Sequence, residues 1–475
     1  MPAVSSRAVT RLPAIHALLA ILEEEGVEYI FGVPGGPLTA VFEALQERSK
    51  IKFVMAKHEG GAAFMAASYA RVSRKLGVVC GTSGPGATNA LTGVASAHAD
   101  SVPVLLLTGQ VATTAFGTGA IQESSVFGLD LVSLFRPVTK LSAMFPSVER
   151  VPDVMRHGIR TALAGRPGAV HLNMPANMLQ AEIDFTPLEP HRYRSANQVL
   201  DIDAATDLGE RLRRAEAPCF LAGHGVAISG AEHELLEVAR AVGAHILTTP
   251  KGKGVISETD SLWAGVHGFG GHRKAEETVE DADLLVIVGS SLNEFVTNGR
   301  PLVLGPGAQV AQIDVDPTMI GRNLPVDAAV VGDAKTVLSE ILRQLSDRPS
   351  MSSSSRPPPI VEPTIVRRES DYPTRSTNSP YMKPRDLITE LRRVMADEDL
   401  LFVDIGTTIL WTVHHFQVRA PHTFFVDLGL GSMGSAVAGS IGGALAAKKG
   451  RVVALVGDGA FAMNGFEVHT AVEFG

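Results

Sequence analysis

The sequence predicts an α/β fold of three doubly wound parallel-sheet domains, the third incomplete. Three observations predict it. Short apolar runs end again and again in glycine-containing turns. Each run is followed by an amphipathic or small-residue stretch of helical period, the signature of βαβ crossovers. Apolar residues make up 45% of the 475 residues, with 47 Gly and few aromatics, too long a chain for one core and suited to buried strands joined by tight turns.

The first domain is expected over 8–180. There "VEYIFGVPGG" runs into "PLTAVFEALQE", and "IKFVMAKHEG" into "GAAFMAASYARVSR". "LGVVCGTSGPG" then leads into "ATNALTGVASAHAD", "VPVLLLTGQ" into a Gly/Thr-rich loop, and "GRPGAVHLNMP" supplies a last strand. A second unit is expected over 195–345, with apolar strands in "APCFLAGHGVAIS", "GAHILTTPKGKG", "ADLLVIVGSSLNEF" and "AQVAQIDVDP" around the helix "GAEHELLEVARAVG". Residues 346–382 are dominated by Ser, Pro and Arg and predict an exposed linker. The α/β pattern resumes over 383–475 with "PRDLITELRRVMAD", "LLFVDIG", "SAVAGSIGGALAAKK" and "VVALVGDG". These strands are too few for a whole sheet, so the sequence is expected to be cut inside this domain.

Charge and cysteine content narrow the function classes. The net charge is −8 with acids and bases interspersed, and there is no basic block of the kind that binds nucleic acid or an anionic membrane. No apolar run is long enough to span a bilayer, and the N-terminal apolar stretch is cut short by "EEE". Cys80 and Cys219 each sit within an apolar run, which predicts two buried thiols and a cytoplasmic location.

The chemistry concentrates at strand ends. Asp458 follows the strand "VVALV", placed to hold a hard cation, and Gly457 and Gly459 let backbone approach a phosphate. Taken alone this turn is equally an ordinary strand-to-helix turn capped by Asp. Glu59 stands at another strand end before a small-residue helix, where a solvated carboxylate favoured by the helix dipole is the plain reading. "GTSGPGATNALTGVASAHAD" and "GLGSMGSAVAGSIGGALA" are both rich in small residues and suit close helix packing. His58 and His98 lack metal-ligand spacing and are read as structural or as supports of neighbouring site residues; the adjacent His414 and His415 point apart on a helix, which argues against a zinc site there.

In order along the chain, "EGVEYIFGVPGG", "KHEGGAAFMAASYAR", "TSGPGATNALTG", "ADSVPVLLLTGQV", "QES", "GRPGAVHLNMP", "GLGSMG" and "GDGAFAMNGFEVHTAV" together resemble the thiamine-diphosphate (ThDP) enzymes, closest to their acetolactate synthase branch. The resemblance implies a pyrimidine-binding, a central and a diphosphate-binding domain, with each site between two chains of a homodimer or homotetramer. It implies ThDP and Mg²⁺ as cofactors and a small 2-oxo acid, pyruvate-like, as substrate, decarboxylated and then joined to a second carbonyl. Glu59 matches the activating glutamate at the aminopyrimidine ring nitrogen, and Gln122 a glutamine near the reacting carbon. Gly431 matches the carbonyl acceptor for the pyrimidine amine, and Met433 the side chain beneath the bent cofactor. Gly406, Thr407 and Thr408 match the loop near the diphosphate, where relatives often carry Gln-His in place of the threonines. Asp458 matches the first Mg²⁺ ligand, and Pro34, Ser432, Gly457, Gly459 and Ala460 fall in cofactor-binding stretches.

Three alternatives stay open at this point. FAD-bearing members of the branch carry an Arg-Phe-Asp-Asp-Arg run in the central domain, whereas residues 290–296 here read "SSLNEFV". The Gly-rich "GHGVAISG" and "GVHGFGGH" read either as a nucleotide cradle or as turns. A simple decarboxylase, or a noncatalytic subunit of the same fold, are the other readings. A nicotinamide-dependent module lacks a well-placed G-x-G-x-x-G.

Overall fold

The computed structural model describes residues 9–47, 50–195, 200–347 and 381–475. The expected linker, 346–382, lies almost wholly outside the described residues.

In chain order the first strands are β1 (Thr10–Pro13), β2 (Tyr29–Gly32), β3 (Lys52–Met55), β4 (Gly77–Gly81), β5 (Val104–Gln110), β6 (Leu141–Met144), β7 (Val170–Pro175) and β8 (Glu182–Phe185). Six of them form a parallel sheet of order β3-β2-β4-β5-β7-β6, while β1 and β8 pair antiparallel as a separate ribbon. Side chains alternate across the sheet, so neighbours feed different cores. Ile30, Val78, Cys80, Leu105 and Leu107 join one buried cluster, and Phe31, Val79, Val104 and Leu106 the other. Both faces are covered, which is why these strands read as unbroken apolar runs.

The second sheet comprises β9 (Pro218–Ala222), β10 (His245–Thr248), β11 (Trp263–Val266), β12 (Leu284–Val288), β13 (Gln309–Asp314) and β14 (Ala328–Val331). Its order is β11-β10-β9-β12-β13-β14, all parallel. Beside it Lys253 and Glu258, both buried, form an ion pair of 2.5 Å, and Glu258 also accepts the Val418 N–H at 2.9 Å. His272 and His414 are buried as well, each bonded through its ring to a backbone carbonyl (His414 O for His272, Gly271 O for His414). The Gly-rich turns of this domain are filled by backbone: a Cβ on Gly223 would lie 2.3 Å from Gly289 O, and one on Gly225 2.6 Å from Gly289 Cα. Close packing accounts for those glycines.

The third sheet is small: β15 (Leu400–Val403), β16 (Phe424–Val426) and β17 (Val452–Leu455), in the order β16-β15-β17. By compactness the chain divides into two units. One joins the first domain to Asp427–Lys448 and Ala454–Gly475; the other joins the second domain to the chain as far as Val426 and to Lys449–Val453. Cys80 and Cys219 are buried and free, their thiols pushed up to about 12 by burial.

His171 on β7 is fully buried between two hydroxyls, Thr108 Oγ1 at 2.8 Å from Nε2 and Ser142 Oγ at 2.8 Å from Nδ1. Burial lowers its pKa from 6.5 to about 3. The unfolded chain binds a proton there below pH 6.5 while the folded protein does not, so stability falls as pH drops through that window. The His171→Gln variant should lack this component, its unfolding free energy losing about 1.4 kcal/mol less per pH unit than the wild type between pH 6 and 4. Urea titrations across that range check it; parallel slopes for the two proteins would contradict it.

Candidate active site

The carboxyl ends of four successive strands of the first sheet, the edge strand β3 with β2, β4 and β5, bring four sequence-predicted segments together. Glu59 opens the helix Glu59–Ser73 just after β3 and is 8% exposed. His58 precedes it in extended conformation and caps the helix, its Nδ1 accepting the Gly60 N–H at 3.0 Å. The Glu59 Oε2 accepts from Asn89 Nδ2 at 2.9 Å, across to the helix Pro85–Ala99. Its Oε1 faces Gly86, where a Cβ would stand only 3.0 Å away. The glycine therefore makes the space that the carboxylate occupies.

Pro34 and Gln122 border the same turn. A Cβ on Gly35 would meet Thr82 Cβ at 2.4 Å, so the exposed Pro34 lies beside the turn after β4. Gln122 is exposed with φ +60°, and its Cγ would be 3.3 Å from a Cβ on Gly84, itself at φ +65°. The Gly84 N–H donates to Ser124 Oγ at 3.0 Å, and Gln110 Oε1 accepts the Ser124 N–H at 3.0 Å, which pins the 122–124 segment to the end of β5. At the centre of this arrangement Thr82 Oγ1 and Ser83 Oγ are buried with no hydrogen-bond partner among the described residues. Buried orphan hydroxyls are costly and mark a place for a polar ligand.

The segments from the end of the chain complete this unit. Gly431 has φ +74° and open space where a side chain would be; Ser432 is half-buried and Met433 is 38% exposed. Two contacts tie their loop to the first domain: Asp427 pairs with the buried Arg71 of the Glu59 helix, and Asp100 Oδ1 accepts the Gly429 N–H at 2.7 Å. A Cβ on Gly459 would lie 3.2 Å from Met433 Cε, so the methionine rests against the Gly-Asp-Gly turn. Asp458 is exposed, its Oδ1 accepting the Gly459 N–H at 2.8 Å; Gly457 faces open space and Ala460 is buried. Among the described residues no group of three or more His, Cys, Asp or Glu could hold a metal ion.

Gly406, Thr407 and Thr408 belong to the other compact unit. Gly406 has φ +145° and caps the helix Thr407–His415; both Gly406 and Thr407 are exposed. Thr408 Oγ1 donates to Asp404 O at 3.1 Å. No helix among the described residues is long and apolar enough to cross a membrane.

These features, a carboxylate fixed at a strand end, orphan hydroxyls beside it and a Gly-Asp-Gly turn under a methionine, define a cofactor-binding α/β enzyme. The chain belongs to the thiamine pyrophosphate enzyme family. It matches the N-terminal TPP binding domain of that family over 14–130, the central domain over 205–341 and the C-terminal TPP binding domain over 404–475. The third domain, expected to be incomplete, is thus present as a recognisable C-terminal domain. Among its relatives, the "probable acetolactate synthase large subunit" proteins of Methanococcus aeolicus and Methanocaldococcus jannaschii are each 34% identical over 97% of this chain and 78% of their own length. The acetolactate synthase large subunit of Corynebacterium glutamicum is 31% identical over 98% of this chain and 74% of its own length.

Sequence reasoning missed Asn89, the Arg71–Asp427 pair, Asp100 and the two orphan hydroxyls. The only local signal was a charged residue stranded among small ones, as Arg71 is in "MAASYAR".

The loop carrying Gly431 and Met433 leads into the helix Ser435–Ala446, which lies against the Glu59 helix through glycine: a Cβ on Gly442 would be 2.0 Å from Met65 O, and one on Gly439 2.4 Å from Ser68 Oγ. The Gly442→Val variant should lose about 3 kcal/mol by overpacking. Gly36→Ala, at a site with nothing within 4 Å, should stay within about 0.5 kcal/mol of wild type. Denaturant midpoints check both; equal effects would contradict the close-packing account.

Proposed function

We propose that the protein is a ThDP- and Mg²⁺-dependent enzyme that decarboxylates a pyruvate-like 2-oxo acid and ligates the product to a second carbonyl; its similarity to proteins named acetolactate synthase large subunit supports the reading. One observation carries the reading. Glu59 is held at the end of β3 with one oxygen engaged by a neutral donor and the other seated against Gly86, near two unpartnered hydroxyls.

Those residues fit the cofactor. Asn89 fixes the Glu59 carboxylate and leaves Oε1 to hold the proton shared with a pyrimidine ring nitrogen. The Gly431 carbonyl would accept from the pyrimidine amine, and the exposed, flexible Met433 thioether would support the ring system. Pro34 and Ser432 border the cofactor. The amides after Gly457 and Gly459 would offer N–H donors to the diphosphate, with Ala460 buried behind them. Gly406, Thr407 and Thr408 are diphosphate-loop residues on the resemblance alone, the Thr408 hydroxyl being engaged by Asp404 O. Asp458 supplies one carboxylate to Mg²⁺, an ion content with a single protein carboxylate plus phosphate oxygens. When bound, ThDP would supply a nucleophilic carbon and an electron sink for decarboxylation of the 2-oxo acid. Gln122 stands ready to orient the substrate.

The assembly in this reading is a homodimer or a pair of dimers in the cytoplasm. Exposed Phe127, Phe461 and Phe466, from 50 to 79% accessible, are apolar surface that a second chain would cover. FAD is left out of this reading on the missing Arg-Phe-Asp-Asp-Arg run, and the packing of Gly223 and Gly225 against the backbone at Gly289 supports that choice.

In the full protein, Glu59→Gln should abolish turnover of a 2-oxo acid, a fall of about 100-fold or more, while ThDP still binds. Asp458→Ala should weaken Mg²⁺-dependent ThDP binding by about tenfold or more. CO₂ release with product mass analysis reads the first and calorimetry the second. Normal turnover in Glu59→Gln would sink the mechanism; unchanged affinity in Asp458→Ala would remove the metal ligand.

A further inference from the structure

Glu467 lies on a one-turn 3-10 segment, Gly465–Glu467, nine residues beyond Asp458, and only 1% of it is exposed. A buried carboxylate is costly unless its oxygens are satisfied. These are satisfied by the backbone that leads into the Glu59 helix. Oε1 accepts the His58 N–H at 3.0 Å and the Lys57 N–H at 3.1 Å, Oε2 accepts the Lys57 N–H at 3.1 Å, and Thr470 Oγ1 donates to Oε2 at 2.8 Å. The Lys57 ammonium is engaged elsewhere, on Glu473 at 2.7 Å. The anion is therefore held by peptide donors at a helix start, where its charge is also favoured by the helix dipole.

The sequence makes room for this contact. A Cβ on Gly61 would fall 2.2 Å from Glu467 Oε1, so only glycine at that position lets the carboxylate reach the amides. Lys57 and His58 are the two residues immediately before Glu59. Their peptide planes set the direction in which the Glu59 side chain leaves the backbone, toward Asn89 and the gap at Gly86. Glu59 itself is held on one oxygen by one side-chain bond from Asn89. Its aim thus rests on a main chain that is clamped from a segment some 410 positions away in sequence.

We infer that Glu467 is a positioning residue: by holding the Lys57 and His58 amides it fixes the backbone that aims the Glu59 carboxylate, and it links that carboxylate to the segment bearing Asp458. This rests on the reading of Glu59 given above. An acid that only stabilised the fold would lower the melting temperature and leave the chemistry alone. A positioning acid changes kcat, because a shift of the catalytic group of about 1 Å costs on the order of 100-fold.

The test uses the full chain loaded with ThDP and Mg²⁺, assayed well below its melting temperature. In Glu467→Ala, hydrogen exchange of the Lys57 and His58 amides should speed up about tenfold or more, from loss of their acceptor. In the same variant kcat should fall about 10- to 100-fold, with KM and the ThDP Kd within about threefold of wild type. Glu467→Gln keeps the volume and an acceptor oxygen, and should recover most of both effects; if the alanine variant does not fold, Glu467→Asp, one methylene short of the Lys57 and His58 amides, carries the test with the losses expected of alanine. Unchanged amide exchange, or wild-type kcat with a lowered melting temperature, would overturn the inference. Glu59→Gln run in parallel separates the two levels. If it is inactive while Glu467→Ala has normal kcat, the positioning role fails alone. If it turns over normally, the reading of Glu59 fails, and the exchange rates still decide whether Glu467 clamps the 57–58 backbone.

Discussion

Two helices that nearly touch along their backbones organise the catalytic unit. The helix Glu59–Ser73 and the helix Ser435–Ala446 approach so closely that glycine alone fits at 439 and 442. Each helix begins at a candidate site element: the first at Glu59, the second just after the Gly431–Met433 loop. A contact made through backbone has few alternative packings, since sliding either helix drives a carbonyl into a neighbouring chain. The pair thereby fixes the carboxylate and the methionine loop in one frame. The pair of buried Arg71 with Asp427 ties the Glu59 helix to the chain leading into the second helix, and the Asp100–Gly429 bond ties that same stretch to the end of the helix Pro85–Ala99.

The site illustrates how strand ends are used in open α/β sheets. Ligands gather where helix starts offer donors and loops are free to vary. Here β2, β3, β4 and β5 end in Pro34–Gly35, Glu59, the Thr82–Gly86 turn and the loop to Gln122, and each meets another through a glycine that leaves no room for a side chain. Rigid strands deliver the residues, and missing side chains make the space between them. The second domain is built by the same rules, but its Gly223–Gly225 turn is closed against the backbone at Gly289.

Much of this was legible in the sequence because burial on both faces writes an unbroken apolar run. β4, β5, β9 and β12 announce themselves that way. β6, with "LSAM" half-buried throughout, and β14, with an exposed alanine, carry too little apolar signal to be read. The antiparallel β1–β8 ribbon joins segments 171 residues apart, as in the Arg11–Glu182 pair, and no local pattern encodes that. The same limit applies at the site. Glycines, Glu59 and Asp458 were readable because their chemistry is local to one turn. Asn89, Asp100 and Glu467 act through partners tens to hundreds of residues away, and such pairings become visible only when the chain is folded.

The most direct measurement of the central claim is a crystal structure of the protein with ThDP and Mg²⁺ bound. This account predicts the pyrimidine ring nitrogen within hydrogen-bonding distance of a Glu59 oxygen, the cofactor resting on Met433 and the metal on Asp458. A cofactor seated away from Glu59, with its pyrimidine facing some other side chain, would contradict it.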